Sequence, residues 1–83
     1  MKLLYFAWLR QKIGAETEQV SLPADVTDVA GLIGWLKGRG DNYAEALKNE
    51  KVIKVAVNQA YARPDTPLKD SDEVALFPPV TGG

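Results

Sequence analysis

The chain has 83 residues, 46% hydrophobic and 25% charged, with ten Lys and Arg against eleven Asp and Glu for a net charge of −1. That length suits one small domain, which buries only about 60% of its unfolded surface, and the near-neutral balance without a basic run argues against nucleic acid as a partner. Cys and His are both absent, which removes disulfides, thiolate nucleophiles, the usual neutral-pH general base and the commonest zinc ligands, and argues against a self-contained hydrolase or zinc enzyme.

Lys2 precedes an apolar run, Leu3 to Leu9. As a secretory core it would be of minimum length, and it runs into Arg10, Gln11 and Lys12 with no small-residue cleavage site. No segment reaches the ~18 apolar residues of a membrane span, so the expectation is a cytoplasmic protein without membrane contact. The run is rich in aromatic and aliphatic residues and is expected to be a strand. Gly14 falls in a turn, and Glu16 to Leu22 alternates polar and apolar as a half-exposed partner strand, so the two segments resemble a hairpin. Pro23 closes that strand.

Thr27 is the expected N-cap of a helix, with Asp28 in its first turn. Val29, Leu32, Ile33 and Leu36 recur at i, i+3, i+4 and i+7 and form one apolar stripe, and Lys37 to Gly40 supply a basic end and a stop. Gly31 and Gly34 each cost this helix about 1 kcal/mol relative to Ala, so tertiary contacts must hold it. Tyr43 to Lys48 is a candidate short helix. Val52 to Asn58 is a β-branched strand, Arg63 to Leu68 a proline-bearing loop, Asp70-Ser71-Asp72 a turn, and Glu73 to Phe77 the last strand. Strand, strand, helix, short link, strand, strand describes an α+β domain with a mixed sheet on one main helix, the β-grasp arrangement, over residues 1–77.

Strand parity then exposes a surplus. Leu3, Tyr5, Ala7 and Leu9 would share one face and Leu4, Phe6 and Trp8 the other, while Val74 and Leu76 oppose Ala75 and Phe77. One helix covers one face. Either Phe6, Trp8 and Phe77, joined by Tyr61, form an exposed patch that docks a partner, or the short helix or a loop folds over them as a second small core.

Beyond Phe77 the chain continues as Pro78-Pro79-Val80-Thr81-Gly82-Gly83. Two prolines cannot extend a ladder, so residues 78–83 are expected to leave the sheet as an extended tail reaching about 20 Å at ~3.3 Å per residue. Gly82 and Gly83 carry no Cβ, which lets the end pass a channel as narrow as the backbone. A chance diglycine has odds of roughly 0.5%. The Gly83 carboxylate is a poor acyl electrophile at neutral pH because its ordinary pKa lies near ~3.5. Adenylation with ATP would activate it toward sulfur, oxygen or nitrogen nucleophiles, and since no such machinery is in the chain, the activating enzyme must be a partner. The plain alternative is a frayed end without a role.

The stretch Asp72 to Gly83, with its Phe-Pro-Pro-Val-Thr-Gly-Gly ending, the opening Leu4-Tyr5-Phe6-Ala7-Trp8-Leu9-Arg10 and the segment Val57-Asn58-Gln59 together resemble the MoaD type of sulfur carrier, the small-subunit family of molybdopterin synthase. The resemblance covers the whole chain and implies a ubiquitin-like fold with no cofactor or metal bound and no independent catalysis. It implies that Gly83 is adenylated by an E1-like, MoeB-type enzyme using ATP and is converted to a thiocarboxylate by a sulfur-donor protein. The tail would then enter a MoaE-type large subunit within a heterotetramer and give sulfur to cyclic pyranopterin monophosphate in two rounds that build the dithiolene. Phe6, Tyr61 and Phe77 fall where that family contacts the large subunit, and Trp8, Pro78, Pro79, Val80 and Thr81 complete the expected interface. Ser71 stands where the family usually has Gly, and would carry strain if its turn needs a positive φ. A thiazole-pathway sulfur carrier, a ubiquitin-like modifier joined to lysine, and an interaction module with an inert end are the rival readings.

Overall fold

The structure is a computed structural model that describes residues 1–79; the expectations for Val80, Thr81, Gly82 and Gly83 lie outside the described residues. Five strands, β1 (Lys2–Tyr5), β2 (Thr17–Gln19), β3 (Lys54–Val57), β4 (Ala60–Tyr61) and β5 (Glu73–Phe77), form one mixed sheet in the order β2-β1-β5-β3-β4. The two segments most distant in sequence, β1 and β5, lie side by side and parallel at its centre, with Leu3 opposite Val74 and Tyr5 opposite Leu76. Helices α1 (Trp8–Ile13), α2 (Val29–Lys37) and α3 (Asp41–Ala46) and a 3-10 turn at Glu50–Val52 complete the chain. This is the β-grasp arrangement.

The α2 stripe forms as its periodicity requires: Val29, Leu32, Ile33 and Leu36 are all buried. They join Leu3, Tyr5, Val55, Val74 and Leu76 from the sheet in one core, which also takes in Leu9 and Ile13 of α1 and Ala46 and Leu47 from the region of α3. Alternation along β5 holds throughout, with Val74 and Leu76 fully buried and Glu73, Ala75 and Phe77 half-buried. The N-cap is Asp28, one residue later than expected: it is extended, and its Oδ1 accepts the Gly31 N–H at 2.8 Å. A Cβ on Gly31 would stand 3.1 Å from that same oxygen, so glycine inside the helix leaves room for its cap. Thr27 instead uses its carbonyl to accept the Leu68 N–H.

The first apolar run is not one strand. β1 ends at Tyr5, Ala7 turns the chain at φ 55, and Trp8 begins α1, which stops at Gly14 with φ 87. Leu9 and Ile13, four apart, are buried while Trp8, Arg10, Gln11 and Lys12 are exposed, an amphipathic turn of helix hidden behind a continuous hydrophobic stretch. β1 and β2 do pair antiparallel, but α1 separates them, so they are not a tight hairpin. Met1 and Val20 prolong their pairing, each N–H donating to the other's carbonyl.

β4 is an element that sequence pattern did not reveal. Asn58 and Gln59 both take positive φ, 51 and 70, the consecutive left-handed residues that two-residue hairpin turns need. Asn58 secures the turn by donating to Asp72 Oδ1 at 3.0 Å and accepting the Glu73 N–H at 3.0 Å. Asp72 in turn accepts the Lys69 N–H. That backbone hydrogen bond, with help from the Asn58 side chain, holds its carboxyl below the usual range against a smaller opposing effect of burial. Positive φ among the described non-glycine residues is confined to Ala7, Asn58 and Gln59. Ser71 therefore bears none of the strain that a left-handed turn would have imposed.

Candidate docking face and tail root

All three helices contribute to the same core, which leaves the opposite face of the sheet open. The register places Leu4 of β1, Ala75 of β5, Ala56 of β3 and Tyr61 of β4 in one row across that face, with Phe77 opposite Lys54 in the next. Large apolar side chains on it are exposed: Phe6 by 46%, Trp8 by 39% and Tyr61 by 84%. The rings of Tyr61 and Phe77 lie 6.1 Å apart and tilted by 51°, within the range for favourable aromatic contact. α3 does not fold over this surface, because Ala46 and the adjoining Leu47 face the core. Among the described residues nothing folds over the surplus apolar stripe, which is an open patch rather than a second small core.

Phe6, Ala7, Trp8, Val52, Phe77 and Pro78 line a cleft there, and exposed Pro79 stands at its rim. The cleft assembles from four parts of the chain, one of them Val52 at the end of the 3-10 turn. β1 brings Phe6, whose N–H donates to Leu76 O at 3.1 Å; the start of α1 brings Trp8; and β5 delivers Phe77 and the prolines. The prolines have no amide hydrogen, so the strand ladder ends where the cleft begins. Trp8 reaches this cleft from the first turn of a helix, although parity in a longer strand had placed it on the same side. Ala7 and Val52 escaped the sequence reading: neither is aromatic, and both arrive through turns whose path is tertiary. A second hollow adjoins through Phe77 and Pro79, with Tyr61, Lys51, Lys54 and Arg63 along it.

The strongest electrostatic feature lies apart from this face. Glu18 on β2 accepts from Tyr5 Oη at 2.8 Å, Tyr43 Oη at 2.7 Å and both-oxygen contacts from Arg39 at 3.1–3.2 Å. Burial opposes its charge, but the hydrogen bonds from Tyr43, Tyr5 and Arg39, followed by the guanidinium charge, hold the carboxyl below its usual range. Burial first, and then Glu18, push the Tyr5 hydroxyl far above the ordinary tyrosine value. Arg39 also sits over the rings of Trp35 and Tyr43, about 5 Å from each centroid, a cation–π arrangement. This cluster fastens β1, β2, α2 and α3 together and carries no group directed at the cleft.

A compact β-grasp domain whose C-terminal strand runs out through two prolines at the edge of an open apolar face is the architecture of ubiquitin-like carriers. The chain belongs to the ThiS family, whose sequence description matches residues 3–83. It is 42% identical over 83 residues, 100% of this chain and 99% of the other, to the molybdopterin synthase sulfur carrier subunit of Escherichia coli K12. Its fold is similar to the crystal structure of small archaeal modifier protein 1 of Haloferax volcanii, at 29% identity and a TM-score of 0.74 over 96% of this chain and 97% of that one. It is also similar to a chain in the complex of subunits 1 and 2 of the molybdopterin-converting factor of Helicobacter pylori 26695, at 27% identity and a TM-score of 0.62 over 99% and 96%. Among the described residues, no helix is long and apolar enough to cross a membrane.

Proposed function

We infer that this chain is the sulfur carrier of a molybdopterin synthase, with the Gly83 carboxylate as its reactive group. The observation that carries the reading is the position of the tail root: Phe77, Pro78 and Pro79 leave the sheet inside an open cleft walled by Phe6 and Trp8. A partner seated on that face receives the following residues directly. Full-length similarity to a carrier subunit of that synthase supports the choice of pathway, and the two-subunit complex of the Helicobacter pylori factor supports a large-subunit partner.

In this reading an E1-like enzyme of the MoeB type seats the carrier, and the Gly83 carboxylate attacks the α-phosphate of ATP with loss of pyrophosphate. Sulfur handed over by a donor protein at the sulfide level, as HS⁻, then displaces AMP from the acyl-adenylate and leaves a thiocarboxylate; delivered instead as a persulfide it forms an acyl disulfide, which a thiol reduces to the thiocarboxylate with formation of a disulfide. Docking on a MoaE-type large subunit brings that sulfur to cyclic pyranopterin monophosphate, and after transfer the carrier returns as the carboxylate for another round. The domain supplies the address, and the side-chain-free Gly82 and Gly83 enter the partner's active site. ATP belongs to the activating enzyme, and the chemistry belongs in the cytoplasm where ATP is available.

Similarity to an archaeal modifier protein favours a second reading, isopeptide formation with lysine. Intact mass separates the two. Incubation with activating enzyme, ATP and a sulfur source adds the difference between sulfur and oxygen to a carrier, whereas a modifier appears as a heavier adduct on another protein. Failure of any sulfur to appear on Gly83 with every upstream component supplied would overturn the carrier reading, and assembly of the dithiolene with a MoaE-type subunit separates the pterin pathway from the thiazole one.

A further inference from the structure

The register sets Lys54 directly opposite Phe77, so a lysine shares the open face with the aromatic residue from which the tail root leaves. Lys51 and Arg63 stand with it around the hollow that has Phe77 and Pro79 in common with the cleft, and all three are exposed. Between them the lining is apolar, with Ile33 and Ile53 buried. The acidic side chain there, Glu50, is engaged elsewhere: its Oε2 accepts from Lys37 Nζ at 2.9 Å. Arg63 makes a 3.8 Å contact with Asp65, with both side chains well exposed, and ion pairs of that kind contribute little. Lys51 and Lys54 take part in no ion pair among the described residues. A chain of net charge −1 thus gathers three weakly engaged cations beside its tail root.

We propose that this hollow receives carboxylate side chains of the synthase's large subunit, which pair with Lys51, Lys54 and Arg63 at the edge of the docked face. This rests on the docking role inferred above for that face and adds the chemistry the partner must bring. A partner that encloses Phe77 also covers its cross-strand neighbour, and withdrawing an ammonium from water without a counter-charge is costly. Lys54 therefore opposes docking by an apolar or basic surface and accepts an acidic one. Because Phe77 and Pro79 line both depressions, no partner can surround the tail root without meeting the basic rim. The complex of subunits 1 and 2 of the Helicobacter pylori factor favours the large subunit as that partner. Clustered charge of one sign also draws an opposite surface into encounter before contact is made.

The sign of one substitution is decisive. Lys54→Met keeps an unbranched apolar stem and removes the charge. With carboxylates opposite, it is expected to bind the large subunit of the synthase encoded in the same genome about fivefold more weakly, while Lys54→Arg binds as the native chain does. Against an apolar surface the loss of a desolvated charge would instead tighten binding, and with the ammonium left in water it would change nothing; either result overturns the proposal. Replacing Lys51, Lys54 and Arg63 together by Gln is expected to slow association about tenfold at ~0.05 M salt, with the gap narrowing at ~1 M, where charges are screened within about 3 Å. The three side chains are exposed, so melting temperatures should stay native. A triple variant that associates as fast as the native chain, or is slowed only toward the activating enzyme or a second copy of itself, also overturns the proposal. Phe77→Asp is measured alongside. If it loses affinity while Lys54→Met does not, the proposal fails and the docking reading stands; if Phe77→Asp binds normally, the docking reading fails and takes this proposal with it.

Discussion

The two faces of the sheet are made from the same strands, yet they have opposite duties. On the inner face Leu3, Tyr5, Val74 and Leu76 are fully buried against helices, where apolar contact stabilises the fold. On the outer face Phe6, Tyr61 and Phe77 are at least partly open to solvent, where the same kind of side chain contributes little to folding and is available to a partner. Alternation along β5 makes the division abrupt: Leu76 and Phe77 are neighbours in sequence and belong to different tasks. Hydrophobicity alone does not say which side chain is core. The placement of the helices does.

Four experiments try that division, beginning with the largest effect. Deleting Gly83 is expected to abolish thiocarboxylate formation, read by intact mass, while denaturant unfolding and binding to the large subunit persist; an unfolded deletion product would mean that the tail belongs to the fold. Leu76→Ala should cost roughly 2–5 kcal/mol of stability, as buried Leu truncations do, and chemical denaturation measures it. Phe77→Asp, one residue along, should leave the unfolding midpoint close to native but weaken docking by about 2 kcal/mol or more, as loss of an interface anchor does. Titration calorimetry would detect this, and a Phe77→Asp chain that unfolds as readily as Leu76→Ala would erase the distinction between faces. Asp28→Ala removes a single cap and should cost about 1 kcal/mol with no effect on docking.

The Glu18 cluster adds a pH dependence on the inner side. Its carboxyl is held below the ordinary range in the fold, so the stabilisation is fully present above the unfolded-state value near ~4.3 and is lost as pH falls through the lower folded value. Tyr5 shifts the opposite way. The folded state favours its neutral hydroxyl, and that contribution is intact below the unfolded value near ~10 and lost as pH rises beyond it. Tyr5→Phe should flatten both limbs of a stability–pH profile, the acid limb because Glu18 loses a donor. Docking through Phe6 and Phe77 should not follow either limb while the chain stays folded; an affinity that tracks Glu18 protonation would show the two regions to be coupled.

Much of this was legible in the residues. The i, i+3, i+4, i+7 stripe of α2, the alternation of Glu73 to Phe77 and the excess of apolar side chains over what one helix can cover all follow from local periodicity, and the structure contains each. Leu3 to Leu9 reads as a single strand because apolar residues at both parities conceal the period, although Leu9, Ile13 and Gly14 form a short helix with its stop. Thr27 and Asp28 are both good caps, and the choice between them depends on which oxygen meets the Gly31 N–H. β4 depends on Asn58 and Gln59 entering left-handed conformations, which Asn tolerates but Asn-Gln does not announce as Asn-Gly would.

The sequence by itself determined the main helix with its buried stripe, the alternation of the last strand, and a tail of two prolines and a diglycine, because each is a property of neighbouring residues: their period, their missing amide hydrogens, their missing side chains. Only the tertiary structure decided that β1 lies parallel to β5, that Ala7 turns Leu9 inward and leaves Phe6 and Trp8 beside Phe77, and that no helix covers them. Those outcomes join residues some seventy positions apart, and contacts at that separation are chosen by the shape of the whole core, which no local pattern encodes.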